Sequence, residues 1–208
     1  MGGRMRYQIR NIPTPFPLMR KSRQEAAETR QRIVEAASRR FREKGIEATA
    51  LSDVMADAGL THGGFYKHFA SKDHVVLESL QLATDSMHAS MSATLERWPG
   101  KRGINAAIEQ YLSESHFHDI GCDCTFVSLA SELARRSDDV RDAASAGMVS
   151  LIELFTNGLM TELTPAAARK RATVIVSTMI GAMTVARLVN DDTLAASVLR
   201  EARKTLQQ

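Results

Sequence analysis

Cysteine is scarce in this sequence, and its scarcity excludes one class of protein. The 208 residues include two cysteines, Cys122 and Cys124. Small secreted proteins that depend on disulfides carry more, so a disulfide-stapled fold is excluded. The N-terminus also lacks the apolar core of a signal peptide. We therefore expect a soluble, cytoplasmic protein.

Long uncharged runs and catalytic motifs are missing as well. The most apolar segment, residues 172–186, is uncharged but contains Thr and Ser and is too short to span a bilayer. It predicts a helix that is buried on several sides, and no membrane association. The sequence has no glycine-rich phosphate loop and no recognised nucleophile-and-base signature. We expect neither enzyme activity nor a cofactor.

The net charge of +3 is unevenly distributed along the chain. Residues 1–80 hold 14 Lys and Arg against 9 Asp and Glu, whereas residues 81–208 hold 13 against 15. A basic N-terminal half favours a polyanionic partner, because neutralised phosphates release counterions. An excess of this size is also ordinary on protein surfaces, so charge alone does not decide the matter.

The first 22 residues differ from the rest of the chain. They are basic, and Pro13, Pro15 and Pro17 alternate in a way that excludes a helix there. Two interpretations remain open, a disordered extension and an arm that reaches phosphates. From about Gln24 onwards the apolar residues recur at helical spacing, and no alternating strand pattern appears.

Residues 45–73 predict two short helices joined by a tight turn. Val54, Met55 and Ala58 recur at helical spacing, and Gly59 follows where a left-handed residue ends a helix. The next helix separates polar from aromatic side chains: one face carries His62, Tyr66, Lys67 and His68, and the other carries Phe65 and Phe69. A polar face held by an aromatic anchor suits a helix that lies in the major groove of DNA.

The same residues resemble a known family. Residues 45–49, 52–54, 58–61, 63–69 and 71–72 are similar to the N-terminal signature of TetR-family transcriptional repressors of the TetR/AcrR type. The resemblance implies an all-α fold with a three-helix helix-turn-helix DNA-binding domain at residues 23–72. A helical regulatory and dimerisation domain would follow at residues 73–208. It also implies a repressor that binds a palindromic double-stranded DNA operator as a homodimer and is released by a small-molecule inducer.

The resemblance assigns the DNA contacts. We expect phosphate contacts from Tyr66, Lys72 and either Thr49 or Ser52. The full expected set is Thr49, Ser52, Thr61, His62, Gly63, Gly64, Tyr66, Lys67, His68 and Lys72. The chain departs from the family pattern at Ala50, where a hydroxyl residue is usual, and at Met55, where a small residue is usual.

The C-terminal half should hold the effector and the dimer contact. The candidate pocket residues are Met87, Met91, Tyr111, Phe117, Phe126, Phe155 and Met179, although each of them can equally be plain core. Ser177 and Gly181 would let a partner helix approach closely. The expected dimer residues are Ile180, Met183 and Ala186, and burial of this helix within one protomer is the alternative.

Residues 116–124 combine two histidines with both cysteines, and three interpretations remain open. The segment can be a loop with capping polar residues and apolar-like cysteines. It can be a redox sensor in which Cys122 or Cys124 reacts as a thiolate. It can also bind a metal through His116, His118, Cys122 and Cys124, although one-residue spacings are unlike those of common zinc sites.

A second class of function also fits a basic helical protein. A non-specific architectural DNA-binding protein would need a much more basic surface and no apolar pocket. That alternative, like an enzyme, leaves the signature between residues 45 and 72 unexplained. The sequence therefore favours a DNA-binding repressor.

Overall fold

The computed structural model describes residues 16–122 and 124–207, and it describes their side chains except those of residues 16–22 and 122. The α-helices are α1 (Phe16–Lys44), α2 (Leu51–Asp57), α3 (Lys72–Arg97), α4 (Lys101–Tyr111), α5 (Glu114–His118), α6 (Thr125–Ser128), α7 (Ala130–Leu133), α8 (Asp138–Leu159), α9 (Pro165–Leu188) and α10 (Asp192–Leu206). Two 3₁₀ helices lie at His62–Lys67 and Ile120–Cys122. The described residues include no strand, which confirms the predicted all-α class.

Helix α1 begins at Phe16, earlier than the predicted start near Gln24. Pro17 lies in the first turn, where its missing N–H had no partner to lose, so the prediction that proline excludes a helix was wrong for this position. The predicted extension covered residues 1–22, and its last seven residues are helical rather than disordered. Its first 15 residues lie outside the described chain, so both interpretations of that part stay predictions.

Two separate hydrophobic cores organise the described chain. The first joins α1, α2, the His62–Lys67 3₁₀ helix and the start of α3, with Phe41, Met55 and Phe65 fully or almost fully buried. The second joins α4, α8, α9 and α10. Leu133, far along the chain in α7, belongs to the first core together with Leu129 and Val140. Packing therefore crosses the boundary that the sequence suggests at residue 72.

Helix α9 is long and apolar enough to span a bilayer by length and composition, and it is the one such helix in the part of the chain described. In this fold it packs on α8 and α10. One face is buried, with Ile175 and Met179 fully inside. The opposite face is exposed, so burial on several sides does not hold within one protomer.

The predicted helix from about Thr125 to Arg136 is broken. Leu129 has φ −124° and ψ 0°, which is outside helical geometry, and it separates α6 from α7. This break turns Leu129 and Leu133 towards the first core. The irregularity is what attaches the segment after Cys124 to the helix-turn-helix region.

Candidate DNA interface and inter-domain cleft

The 3₁₀ helix at His62–Lys67, called here the reader, presents a polar surface on an aromatic base. Phe65 is fully buried and its ring stacks on that of Phe69 at 5.5 Å between centroids, which confirms the predicted anchor. Tyr66 meets the edge of Phe65 at 5.3 Å and leaves 68% of its surface in solvent. A large aromatic residue with a polar tip is thus held outwards, where it can reach a phosphate or a base.

All but one of the predicted DNA-binding residues are exposed or half-buried. The exposed members are Ser52, Thr61, His62, Gly63, Tyr66 and Lys67, and the half-buried ones are Gly64, His68 and Lys72. Thr49 is buried, and its hydroxyl donates to the carbonyl oxygen of Gly45 at 2.7 Å. The prediction of a phosphate contact from Thr49 is therefore wrong, because the hydroxyl serves the α1–α2 turn.

Lys72 is engaged within the protein. Its Nζ donates to the carbonyl oxygen of Thr49 at 2.8 Å. Partial burial lowers the pKa of Lys72 below its ordinary value. The ammonium group thus links the start of α3 to the turn before α2, and its predicted contact with the DNA backbone would require this bond to be shared or exchanged.

Two departures from the family pattern have a structural account. Ala50 caps α2 without a side-chain hydrogen bond, and Ser52 does not replace that cap because its hydroxyl donates to Asp53. Met55 is fully buried, and its Cε lies 3.5 Å from where a Cβ on Gly64 would stand. A Cβ at position 64 would thus be in ordinary contact with Met55, so the larger side chain in α2 does not itself require the glycine in the reader.

Ion pairs that sequence reasoning missed fix the reader and α2 on α1. Arg30 donates from Nε to Glu78 of α3 at 3.0 Å and from Nη1 to the carbonyl oxygen of His68. Its guanidinium also lies over the ring of Phe69, 4.1 Å from the centroid. Arg40 makes a separate bidentate pair with Asp57 of α2, at 2.5 and 2.8 Å. These pairs join residues far apart in sequence, so no local pattern announces them.

Two charged residues hold the α1–α2 turn: one, Glu132, lies in α7 and the other, Arg136, follows it. A carboxylate oxygen of Glu132 accepts from the backbone N–H of Glu47 at 2.8 Å. Arg136 pairs with Glu47 at 2.8 Å and with Asp73 at the start of α3 at 3.0 Å. We call Glu132 and Arg136 the clamp. It ties the segment that follows Cys124 directly to both ends of the helix-turn-helix motif.

A cleft of about 820 Å³ opens between α1 and the regulatory helices. Helix α1 contributes Glu35, Ser38, Arg39 and Arg42 to its wall. The remaining lining residues come from α3, α4 and the segment up to Cys124: Leu82, Ala83, Ser86, Met87, Ser90, Met91, Glu109, Gln110, Tyr111, Ser113, Ser115, His116, Asp119, Gly121 and Cys124. The cleft thus touches a helix of the DNA-binding unit as well as the regulatory domain.

Three of the seven candidate pocket residues line this cleft and four do not. Met87, Met91 and Tyr111 line the cleft as expected. The remaining predicted residues do not: Phe126, Phe155 and Met179 are packed inside the regulatory core, and Phe117 packs against it. Their apolar side chains fill space within the helix bundle, which is the alternative that the sequence left open.

Across the cleft floor, a tyrosine and a cysteine lie side by side. The hydroxyl of Tyr111 is buried next to the thiol of Cys124, and burial is the main cause that raises the pKa of Tyr111. Burial raises the pKa of Cys124 above its ordinary value, so the thiol stays protonated at neutral pH. This disfavours Cys124 as the reactive thiolate of a redox sensor. The side chain of Cys122 falls outside the description.

The histidines of this segment are occupied in other ways. The Nδ1 atom of His116 lies 2.5 Å from the carbonyl oxygen of Tyr111, and burial lowers the pKa of this imidazole. His118 is exposed and lies 4.0 Å from Glu114. Among the residues described, no group of three potential metal ligands comes together. The metal interpretation, one of the three left open for this segment, would need the undescribed Cys122 side chain.

The predicted dimer residues are partly misplaced. Met183 and Ala186 are fully buried in the core of their own protomer, so their assignment to a dimer surface is wrong. Ile180 is half-buried. The exposed face of α9 instead carries Val174, Gly181, Val185 and Leu188, the last with 81% of its surface exposed. The helix is apolar on both faces, so composition could not tell which one points outwards.

Comparison with known proteins places the chain among bacterial regulators. Residues 33–78 match the model of bacterial regulatory proteins of the tetR family, and residues 101–201 match that of the LmrA/YxaF-like transcriptional regulator C-terminal domain. Together the two matches cover more than half of the chain.

Individual relatives agree with these family models. The HTH-type transcriptional regulator TtgR of Pseudomonas putida is 41% identical over 71 residues, which are 34% of this chain and 32% of TtgR. An HTH-type transcriptional regulator of Mycobacterium tuberculosis is 26% identical over 184 residues, covering 85% of this chain and 93% of its own. For the first curated relatives, such as TtgR, the matched part of the chain spans only about a third of their length.

A solved structure shows that the likeness extends over the whole fold. The crystal structure of a TetR transcriptional regulator from Chloroflexus aurantiacus superposes with a TM-score of 0.75 at 26% identity. The superposition covers 88% of this chain and 94% of that one. Helix-turn-helix geometry, both family matches and the shared fold agree, and the chain belongs to the TetR family of bacterial transcriptional regulators.

Proposed function

We propose that this protein is a repressor that binds a palindromic DNA operator as a homodimer and is released by a small molecule. The observation that carries the proposal is the reader, in which Tyr66, His62 and Lys67 are exposed above the buried Phe65 and Phe69. An anchored polar face of this kind is suited to the major groove. The bacterial cytoplasm, where such DNA is found, is the expected location.

The dimer contact is proposed at the exposed face of α9. Val174, Gly181, Val185 and Leu188 recur along one side of the helix. Apart from the adjacent residues and the helix's own backbone, no described atom lies within 4 Å of a Cβ built on Gly181. An exposed apolar stripe with a small residue at its centre lets two helices approach closely. A two-fold dimer at this face would carry two readers, as a palindrome requires.

The effector is proposed to bind in the 820 Å³ cleft. Its apolar floor of Met87 and Met91 is surrounded by polar side chains, which suits an amphipathic small molecule. Because α1 and α3 both contribute to the wall, a ligand that prefers one spacing of these helices changes the population of DNA-binding conformations. The same coupling free energy must then weaken effector binding when the operator is bound.

The redox alternative now depends on Cys122. Cys124 is buried with a raised pKa, so it is a poor candidate for attack by oxidants in the folded protein. A test compares operator affinity before and after mild oxidation for the wild type and Cys122→Ser. Release of the wild type alone would support thiol sensing, and equal retention in both would leave the cleft ligand as the release signal.

The proposed function is tested by selecting the fragments that the protein binds from a pool of genomic DNA, and by footprinting the protein on the enriched fragments. We expect two inverted half-sites about one helical turn apart. Failure to enrich any sequence over random duplex would contradict the repressor and leave a non-specific DNA-binding protein. Leu188→Glu should yield monomers and weaken operator binding. Ile120→Glu, at a site 45% exposed outside α9, serves as the control.

A further inference from the structure

Arg30 lies at a junction of three elements of the DNA-binding unit. From α1 it donates to both carboxylate oxygens of Glu78 in α3, and to the carbonyl oxygen of His68 at the C-terminal end of the reader. The same guanidinium lies over the ring of Phe69. A planar cation with several donors can hold a carboxylate, a carbonyl and an aromatic face at once.

The residues held by Arg30 decide where the reader points. His68 caps the 3₁₀ helix, and Phe69 stacks on Phe65 beneath it. The reader contains Gly63 and Gly64 and is only six residues long, so its own backbone provides little rigidity. Its orientation must come from contacts at its ends and beneath it, and Arg30 supplies both kinds.

A different role would be expected from sequence, because an arginine in a basic DNA-binding unit is an obvious phosphate ligand. The side chain of Arg30 is 38% exposed, which does not by itself exclude a phosphate. However, Nε, Nη1 and Nη2 all donate to protein acceptors. A phosphate would have to replace the carboxylate of Glu78 or be repelled by it.

We propose that Arg30 is a positioning residue for operator recognition, which orients the reader through His68 and Phe69 and is itself held by Glu78. Arg30 makes no phosphate contact in the complex. This proposal rests on the proposed DNA-binding function. It also makes α3, which carries Glu78 and lines the cleft, a direct support of the reader.

The decisive variant is Glu78→Gln, because the two roles predict opposite signs. Removing a negative charge near DNA favours binding by long-range electrostatics, and it would free Arg30 for a phosphate. If Arg30 instead orients the reader, the weaker bond to the substituted side chain leaves its guanidinium mobile, so the reader moves and operator affinity falls. We expect operator affinity to fall about 5- to 150-fold, the range for one lost base contact. A gain in affinity would overturn the proposal.

Arg30→Gln tests the same idea through the salt dependence. Loss of a phosphate contact lowers the slope of log affinity against log salt by about 0.9. A positioning role predicts weaker binding to the operator with an unchanged slope and little change on random duplex. Arg30→Lys should not restore the affinity, because an ammonium cannot hold a carboxylate and a carbonyl in one plane. A reduced slope, or rescue by lysine, would contradict the proposal.

Arg40→Gln is the matched control for lost stability. Arg40 lies on the same helix, and its bidentate partner Asp57 is in α2 rather than in the reader. At equal loss of thermal stability, Arg30→Gln should lower operator affinity more than Arg40→Gln does. Equal losses in the two variants would reduce Arg30 to a general stabilising residue.

Hydrogen exchange separates this proposal from the function on which it rests. Without any DNA, Arg30→Gln should speed amide exchange at His68 and Phe69, whose N–H groups bond to the carbonyl oxygen of Phe65, and Arg40→Gln should not. Unchanged exchange overturns the positioning role even if the protein binds an operator. Absence of an operator for the wild type refutes the proposed function, and the exchange result then stands on its own.

Discussion

Leu133 offers a direct test of the packing between the segment after Cys124 and the DNA-binding unit. Its side chain is 2% exposed and lies in the core formed by α1, α2 and α3, although it comes from α7. Leu133→Ala removes three carbon atoms, at about 0.8 kcal/mol each, and leaves a cavity that adds to this cost. We expect about 3 kcal/mol of lost stability in the first core.

The loss should be local, and Leu151→Ala provides the comparison. Leu151 is equally buried at 2% exposure, but it lies in the regulatory core. Hydrogen exchange followed by mass spectrometry should show faster exchange in α2 and the reader for Leu133→Ala, and in α8 and α9 for Leu151→Ala. The reasoning is refuted if Leu133→Ala leaves α2 protected, or if both variants loosen the two cores alike.

Two further predictions concern the α1–α2 turn and the cleft. Gly45 and Gly59 have left-handed φ angles of 86° and 72°, so an alanine strains the backbone at either position. The two positions differ in space, because a Cβ at Gly45 would lie 2.6 Å from a carboxylate oxygen of Glu132 and a Cβ at Gly59 meets no described atom within 4 Å beyond its chain neighbours. Urea unfolding should therefore show Gly45→Ala to be about 1–2 kcal/mol more destabilising than Gly59→Ala, because the Glu132 bond to the Glu47 amide is also lost; equal costs would contradict the clamp. Burial lowers the pKa of His116 below its ordinary 6.5, so below that pH the unfolded chain binds a proton that the folded protein does not. As the pH is lowered from about 6.5 to the folded-state pKa, the free energy of unfolding should fall more for the wild type than for His116→Gln. Parallel pH profiles of the two proteins would refute this.

The local features of the fold could be predicted from the sequence because their causes are local. Phe65 and Phe69 are four residues apart, and the Phe69 amide donates to the Phe65 carbonyl oxygen at 3.0 Å, so the spacing predicts that their rings meet. Ser71 precedes α3 and accepts from the amide of His74, as a capping serine should. The aromatic base of the reader and the start of α3 could therefore be predicted from the sequence.

The predictions that were wrong concern contacts between residues far apart in sequence, or the question of which of two similar helix faces is buried. Thr49 was expected on a phosphate, but an acceptor four residues earlier draws its hydroxyl inwards. Met183 and Val185 are both apolar, and packing on α8 and α10 decides which is buried. Arg30 meets His68 and Glu78 only because three elements converge. Periodicity carries no information on such convergence.

The resemblance also implied an effector pocket enclosed within the regulatory domain, whereas the cleft lies between that domain and α1. Arg42 of α1 donates to the carbonyl oxygen of Gly121 at 2.9 Å across one end of it. The chain runs from there through Cys124 and α7 to the clamp on Glu47 and Asp73. An effector that displaces the segment near Gly121 thus has a short covalent path to the turn that supports the reader.

The measurement that tests the central claim most directly is the salt dependence of operator affinity for the wild type, Lys67→Ala and Lys101→Ala. Both variants lose one exposed lysine, from the reader and from the start of α4 respectively. If the reader lies on DNA, Lys67→Ala weakens binding and lowers the salt slope by up to about 0.9, while Lys101→Ala matches the wild type. Equal behaviour of the two variants, or a wild type that binds selected and random DNA alike, would contradict the account.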